Sequence, residues 1–461
     1  MNISIILAAG EGTRMKSKTP KVLHEICGKS LLEYIVDASR EAGVDKNVVI
    51  IGHGGDKIKE HFQDHPIIFE NQPIGEDAPY GTGYAVIQGQ KHIEDDSNVV
   101  ILCGDTPLIT KDTVDDLLKY HRDNKLDGTV VTTLLDNPIG YGRIMRDKSG
   151  NVSKIIEDKD ATEKEKEINE INSGIYCFNG KLLKEALGEI DNDNTQGEFY
   201  ITDVVRILRD KGYKIGGHII ENPDEIHGIN SRSQLAFSES IMRDRINSFH
   251  MENGVTLINP ENTYIEKDVE IGNDTVIYPG VNLEKGTKIG SDCIIRSGSR
   301  IIDSVIKDNV EIESSLIEKS IVDNGTNIGP NAHLRPNSKV GKNVNIGNFV
   351  EVKNAVIGDN SKAGHLAYIG DAVVGKDVNI GCGVIFANYD GKNKEISKIG
   401  DNVFIGSNSN LVAPLNIEDL AYIAAGSTIT EDIKKGSLSI ARARQVNKED
   451  WVYKKGPNNQ E

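Results

Sequence analysis

Residues 265–301 read IEKDVEIGNDTVIYPGVNLEKGTKIGSDCIIRSGSRI. Ile265, Ile271, Ile277, Leu283, Ile289, Ile295 and Ile301 stand six apart, and short residues (Val269, Thr275, Val281, Thr287, Cys293, Ser299) often follow four positions later. Neither the period of a strand nor that of an α-helix gives this spacing. A six-residue repeat builds a parallel β-helix: three hexads close one triangular coil, and each apolar residue points inward onto its equivalent in the next coil. The period returns at Ile328, Leu334, Val340, Ile346 and Val352, and again at Ile399, Ile405, Leu411, Ile417, Ile423 and Ile429. It breaks between Phe386 and Ile399, where NYDGKNKEISK (388–398) intervenes. A stack of coils accommodates such an insertion as a loop leaving the stack, and loops of this kind often carry function.

Upstream the texture changes. ISIILA (Ile3–Ala8), NVVIIG (Asn47–Gly52), NVVILCGD (Asn98–Asp105) and TVVTTLL (Thr129–Leu135) read as strands, while Ser30–Gly43 and Thr110–Asp123 read as amphipathic helices, the first ending on Gly43 as a C′ residue. Strands alternating with helices imply βαβ crossovers and a mixed, mostly parallel sheet, a Rossmann-like α/β domain. Between the two textures, Leu235, Ile241, Met242, Ile246 and Phe249 approach helical spacing, with Ser231 to start a helix and Gly254 to end it. The expected division is therefore an α/β domain over 1–229, a linker helix over 230–254, a β-helix over 255–445 and a tail over 446–461, ending in a disordered GPNNQE.

The chain has 461 residues, 53 Lys+Arg against 70 Asp+Glu, a net charge of −17 and 38% hydrophobic residues. That supports packed cores in two or three domains and makes a poor non-specific binder of nucleic acid or anionic membrane. No apolar run reaches the roughly 20 residues of a membrane span, and MNISIILAAGEGTRM lacks the basic start of a secretory signal. Five widely spaced cysteines without a CxxC argue against a zinc site or a disulfide framework and for a reducing cytosol.

Chemistry concentrates at a few places. In LAAGEGTRM, directly after the first strand, Gly10 and Gly12 let backbone N–H groups approach an anion, and Arg14 and then Lys21 add positive charge. The segment is neither a G-x-G-x-x-G fingerprint nor a P-loop, and it also reads as a tight strand-to-helix turn with two solvated cations. Asp105, in CGDTPL at a strand's C-terminal end, suits Mg²⁺, although an aspartate there is also a common cap or turn residue. The β-helix alone could be a scaffold. It nevertheless carries Arg335 in LRPNSKVG, Lys353 in EVKNA, His365 and Tyr368 in SKAGHLAYIGD, and Asn388 and Tyr389 in the NYDG loop. His365, inside the repeat near two cations and an excursion loop, reads either as a structural residue or as a general base.

LAAGEGTRM, PKVL (Pro20–Leu23), GTG (Gly81–Gly83) and GDTPL (Gly104–Leu108) resemble the sugar-nucleotide pyrophosphorylases. With GYGRI (Gly140–Ile144), IIEDKDAT (Ile155–Thr162), EINSGIY (Glu170–Tyr176), AGHLAYIGD and NIGCGVIFANYDG, essentially the whole chain resembles the bacterial bifunctional N-acetylglucosamine-1-phosphate uridylyltransferase/glucosamine-1-phosphate N-acetyltransferase family. The resemblance implies a left-handed β-helix, acetyl transfer from acetyl-CoA to glucosamine-1-phosphate, and then uridylyl transfer from UTP with release of pyrophosphate. It also implies a cytoplasmic homotrimer joined through the β-helix. By this resemblance Leu7, Ala8, Ala9, Gly10, Cys103 and Gly104 contact the uridine nucleotide, and Arg14 and Lys21 lie at its phosphates. Gln72, Gly81 and Thr82 recognise uracil; the segment PIGEDAPY after Gln72 is longer than the family's, which leaves Glu70 as the alternative. Gly142, Glu157 and Asn172 hold the acetamido sugar, and Asp105 and Asn230 hold Mg²⁺. In the β-helix, His365 is the general base, Arg335, Lys353, Tyr368 and Asn379 take the sugar phosphate, and Cys382, Asn388, Tyr389, Ser407, Ala425 and Arg442 line the acetyl-CoA site. Cys382 reads as a small side chain, because no acyl-enzyme is required. Two other readings stand beside this one: a single-activity pyrophosphorylase on a structural β-helix, and a non-enzymatic subunit of the same layout.

Overall fold

The computed structural model describes residues 1–75 and 78–455; the expected disordered tail, 456–461, lies outside the described residues. The chain divides into two units, 1–242 and 243–461.

In the first unit nine strands form one sheet: β1 (Asn2–Ala8), β2 (Lys46–Ile51), β3 (Ile68–Asn71), β4 (Asn98–Cys103), β5 (Gly128–Leu134), β6 (Arg143–Arg146), β7 (Val152–Ile156), β8 (Glu170–Asn179) and β9 (Ile215–Ile219). Their spatial order is β9-β5-β8-β4-β1-β2-β3, with β6 beside β8 and β7 beside β6. The pairs β1–β2, β1–β4, β2–β3 and β5–β9 are parallel; β8 runs antiparallel to β4 and β5, and β6–β7 is antiparallel. The continuous apolar runs follow from burial on both faces. Ile3, Ile5, Val48, Ile50, Val99 and Ile101 pack to one side, and Ile6, Ala8, Val49, Ile51, Val100 and Leu102 to the other. Helix α1 (Leu31–Glu41) starts on a capping box, in which the Ser30 hydroxyl accepts from the Glu33 N–H and the Glu33 carboxylate accepts from the Ser30 N–H. Gly43 follows its C-terminus at φ +77°. Helix α2 (Lys111–Asp123) is capped by Thr110. Because β1 has the returning β2 on one side and β4 on the other, a crevice opens at their C-terminal ends, where the glycine-rich turn and Asp105 emerge.

The division at residue 242 falls within α3 (Arg232–Glu252), whose Ser231 hydroxyl accepts from the Gln234 N–H. In the second unit the buried Asn247 amide donates to the carbonyls of Pro260 (2.8 Å) and Thr263 (3.1 Å), fixing the helix to the first coil. Of the expected apolar stripe, Met242 and Ile246 are buried and Phe249 is exposed.

The β-helix is three parallel sheets of 11, 10 and 9 strands, each strand two to four residues long. The gap in the sequence period between Ile301 and Ile328 is not a gap in the structure: Ile301, Ile306, Ile312, Ile317, Val322 and Ile328 all point inward and are buried. Several steps are five residues long, and the missing residue is taken from a corner. Corners require a left-handed backbone, and Asp274, Asp292, Asn309, Asn343, Asn360, Asp377 and Asn402 hold φ between 54° and 61°. Asn and Asp tolerate this region because their short side chains bond locally. Here they also bond from coil to coil, Asn343 Nδ2 donating to Asn360 Oδ1 (3.4 Å) and Asn360 Nδ2 to Asp377 Oδ1 (3.2 Å). Among the described residues no helix is long and apolar enough to cross a membrane, and the five cysteines form no disulfide.

Candidate functional sites

In the first unit, Leu7, Ala8, Ala9, Gly10, Lys21, Gln72, Gly81, Thr82, Cys103 and Asp105 line one cleft of about 240 Å³. The turn after β1 packs tightly on its neighbours. A Cβ on Gly12 (φ +67°) would lie 2.7 Å from Lys21 Cβ, so this glycine admits the lysine stem beside the loop. Gly104 closes the gap between β1 and β4: its N–H donates to the Leu7 carbonyl (2.8 Å). Lys21 Nζ donates to Asp105 Oδ2 (2.5 Å) and to Asn230 Oδ1 (3.1 Å), with both ionic side chains largely buried. One carboxylate and one amide oxygen thus converge on a point that a cation already fills. This hard-oxygen pair suits Mg²⁺, which takes one or two protein oxygens and completes its shell with phosphate and water.

Burial, reinforced by Asp105, pushes the Cys103 thiol up to about 12, so it stays protonated, and it donates to the Gly174 carbonyl (3.5 Å). Gln72 is buried at the cleft, whereas Glu70 is held away by His92 (2.7 Å) and Lys91 (3.0 Å). The register of β8 against β5 shifts just after Asn172. Its N–H donates to the Gly142 carbonyl (2.8 Å) and its amide to the Tyr176 hydroxyl (2.8 Å). Glu157 lies in an adjoining acidic cleft with Asp160, Thr202 and Asp203, and burial raises its carboxyl above the usual range. Arg14 is exposed on the turn Thr13–Met15 and is not among the residues lining the cleft.

In the second unit, Arg335, Lys353, Asn354, Asp371 and Lys394 surround a depression of about 380 Å³. Arg335 pairs with Glu351 (2.9 Å). The Lys353 ammonium beside it holds Lys394 below its ordinary range. Asp371 is buried beneath these cations and accepts from Asn354 Nδ2 (2.5 Å) and from the buried Asn388 amide. The excursion loop folds back as a hairpin: Tyr389 bridges Lys394, and the Tyr389 hydroxyl donates to the Gly391 carbonyl (2.7 Å). His365 is exposed at the end of the strand Lys362–His365. Asn345, Lys362, Asn379, Phe404 and Tyr422 are register partners in successive coils. Three residues after each come Asn348, His365, Cys382, Ser407 and Ala425, so a column of small side chains runs from His365 along the stack. Arg442 stands near its end: a Cβ on Gly426 would lie 3.7 Å from Arg442 Cδ.

A nucleotidyl transferase family model matches residues 3–222, a bacterial transferase hexapeptide model (six repeats) 268–303, a GMPPB C-terminal domain model 316–389 and a succinyl-transferase hexapeptide model 397–431. The bifunctional protein GlmU of Clostridioides difficile is 56% identical over 453 residues, covering 98% of this chain and 97% of that protein. GlmU of Acetivibrio thermocellus is 52% identical over 461 residues, covering 100% and 99%. The chain belongs to the GlmU family. GlmU of Listeria innocua, at 51% identity over 446 residues, covers 96% of each chain.

For a GlmU chain the residues that sequence reasoning missed are as informative as those it found. Lys394 and Asp371 complete the second-unit depression, and Glu198 lines the first-unit cleft. Lys394 lay inside the excursion loop already singled out, where a third cation was the available signal. Asp371 closes the motif SKAGHLAYIGD already singled out, whereas Glu198 had no signal, because only the fold brings it to the site.

Proposed function

We propose that this chain catalyses two consecutive steps of UDP-N-acetylglucosamine synthesis, acetyl transfer from acetyl-CoA to glucosamine-1-phosphate and then uridylyl transfer from UTP. The observation that carries the reading is the presence, in one chain, of two separately built sites: Lys21, Asp105 and Asn230 in the first unit, and His365 with the cation-lined depression in the second. A purely structural β-helix has no use for Arg335, Lys353 and Lys394 around one depression, which sets the single-activity alternative aside.

In the first unit a sugar phosphate oxygen attacks the α-phosphorus of UTP and pyrophosphate leaves. Transfers of this kind depend on positioning and charge neutralisation more than on a protein nucleophile. Asp105 and Asn230 would hold Mg²⁺, which when bound supplies positive charge to the phosphates. Lys21 supports the same charge, Gln72, Gly81 and Thr82 select the base, and Gly142, Asn172 and Glu157 orient the acetamido sugar. Arg14, exposed on the turn outside the cleft, would have to swing inward to meet the phosphates. In the second unit Arg335, Lys353 and Lys394 bind the sugar phosphate, Tyr368 and Asn379 orient the sugar, and His365 takes the proton from the amine as it attacks the thioester. The column through Cys382, Ser407 and Ala425 accommodates acetyl-CoA, with Arg442 beyond it and Asn388 and Tyr389 near the thioester. UTP and acetyl-CoA as co-substrates fit a cytoplasmic enzyme.

The test is a coupled assay on the purified chain with glucosamine-1-phosphate, acetyl-CoA, UTP and Mg²⁺, following thiol and pyrophosphate separately. Thiol release followed by pyrophosphate supports two activities; pyrophosphate formed only from pre-acetylated sugar phosphate, with no thiol, would leave the β-helix a scaffold. Lys394→Ala is expected to raise KM for glucosamine-1-phosphate about tenfold, since one charge-assisted hydrogen bond is lost, while leaving KM for acetyl-CoA unchanged. An unaltered KM removes Lys394 from the phosphate site.

The same reading includes a homotrimer. Phe349 and Leu366 adopt the left-handed corner conformation (φ 56° and 41°) yet are 62% and 59% exposed. Large apolar residues are poorly suited to such corners, and a neighbouring β-helix would cover them. Sedimentation equilibrium is expected to return three times the chain mass of 50.4 kDa; a monomer at micromolar concentration overturns this.

A further inference from the structure

Tyr368 and Gly370 stand two residues apart on the strand Tyr368–Gly370 and so project to the same outward face. A Cβ built on Gly370 would lie 2.4 Å from the Tyr368 hydroxyl oxygen, 2.6 Å from Cζ and 2.7 Å from Cε1. The tyrosine ring therefore lies flat along its own strand, over a residue with no side chain. Gly370 is absent from the positive-φ positions, so the backbone does not require glycine there. What requires it is the space under the ring. In the preceding coil Glu351, which pairs with Arg335, is the register partner of Tyr368, and Lys353 is that of Gly370, so a ring lying over Gly370 sits one strand from two residues of the cation-lined depression.

We infer that Gly370 is a positioning residue for acetyl transfer: by leaving its face empty it seats the Tyr368 ring so that the hydroxyl reaches the bound sugar phosphate. The inference rests on the reading of Tyr368 as a sugar-phosphate residue. A methyl group at position 370 meets the far end of a side chain that turns about χ1 and χ2, so the ring swings away and the coil beneath it stays wound. The consequence is local and falls on binding: the hydroxyl leaves the sugar phosphate, and His365, on a different sheet, stays in place.

The experiment is a double-mutant cycle with Gly370→Ala, Tyr368→Ala and the double variant. KM for glucosamine-1-phosphate and kcat are measured by thiol release, with uridylyl transfer of the same protein as the internal control of folding. Gly370→Ala is expected to raise KM about tenfold with kcat changed less than twofold, and to add nothing in the Tyr368→Ala background. An equal rise of KM in both backgrounds, or no rise beside a clear effect of Tyr368→Ala, overturns the seating role. No effect of Tyr368→Ala itself overturns the underlying reading of Tyr368 and the inference with it. Should Gly370→Ala lose both activities, wild-type crystals soaked with glucosamine-1-phosphate decide: a ring over Gly370 with its hydroxyl within hydrogen-bond distance of the ligand supports the role, and a ring turned elsewhere overturns it.

Discussion

Thiol release by a His365→Ala variant is expected to fall about 10²- to 10⁴-fold, the usual worth of a general base, while pyrophosphate release from pre-acetylated sugar phosphate stays at the wild-type rate. The amine must lose a proton to attack the thioester, because an ammonium has no lone pair. The lone pair of a neutral imidazole can take that proton. His365 is exposed on the outer surface of a coil, at the end of its strand, so removing the ring opens no cavity in the stack. The loss is therefore chemical. Measured against pH, the remaining activity should follow hydroxide concentration through the amine's own ionisation. A variant within threefold of wild type in thiol release would take the base assignment away from His365.

Asp105→Asn is expected to lower uridylyl transfer on the order of 10²-fold or more, as removal of a preorganised charge from a phosphoryl-transfer site does, and to leave acetyl transfer unchanged. Asparagine keeps the shape of the side chain and one oxygen, so the turn that follows β4 is held: the Ile229 N–H donates to the Asp105 backbone carbonyl (2.8 Å), which the substitution does not touch. What disappears is the negative charge facing Lys21. The side chains of this pair are 13% and 21% exposed, so the charge is poorly replaced by solvent. The diagnostic measurement is the Mg²⁺ dependence of the rate. A variant whose activity returns fully at saturating Mg²⁺ keeps an intact transition state, and full activity at all Mg²⁺ concentrations removes Asp105 from the metal site.

How much of this was legible beforehand depends on the range of the interaction. The β-helix core could be read directly, because each inward residue answers to a neighbour one coil away and the spacing stays in register. The strands and capped helices of the first unit were legible for the same reason: Ser30 with Glu33 and Thr110 with Thr113 are contacts within one turn. The five-residue steps between Ile301 and Ile328 were not visible, since dropping a corner residue removes the period without disturbing the stack. Nor was the antiparallel β8, which enters between two strands that end 36 and 67 residues before it begins. The glycine-rich turn could be read either as an anion loop or as a tight turn, and the pairing of Lys21 with Asp105 and Asn230 depends on residues far apart in the chain. That Glu70 engages His92 and Lys91 while Gln72 lines the cleft was not legible either, because both partners come from a separate segment. Gly370 was invisible because a glycine in a strand carries no signal until the ring above it is placed.

The corner geometry of the β-helix bears on how the chain is made. Every strand in the stack pairs with one 16 to 25 residues away, from Val305 opposite Ile321 to Asn379 opposite Phe404. Loop closure over so short a distance is inexpensive and fast. A coil can therefore wind onto the last one as soon as it leaves the ribosome, with no need of residues still to be synthesised. The first unit works under the opposite condition. Tyr176 must find Ile101, and Ile215 must find Gly128, before that sheet is complete. Emergence from the N-terminus gives the slower unit its head start, and the unit that follows assembles at the pace of translation.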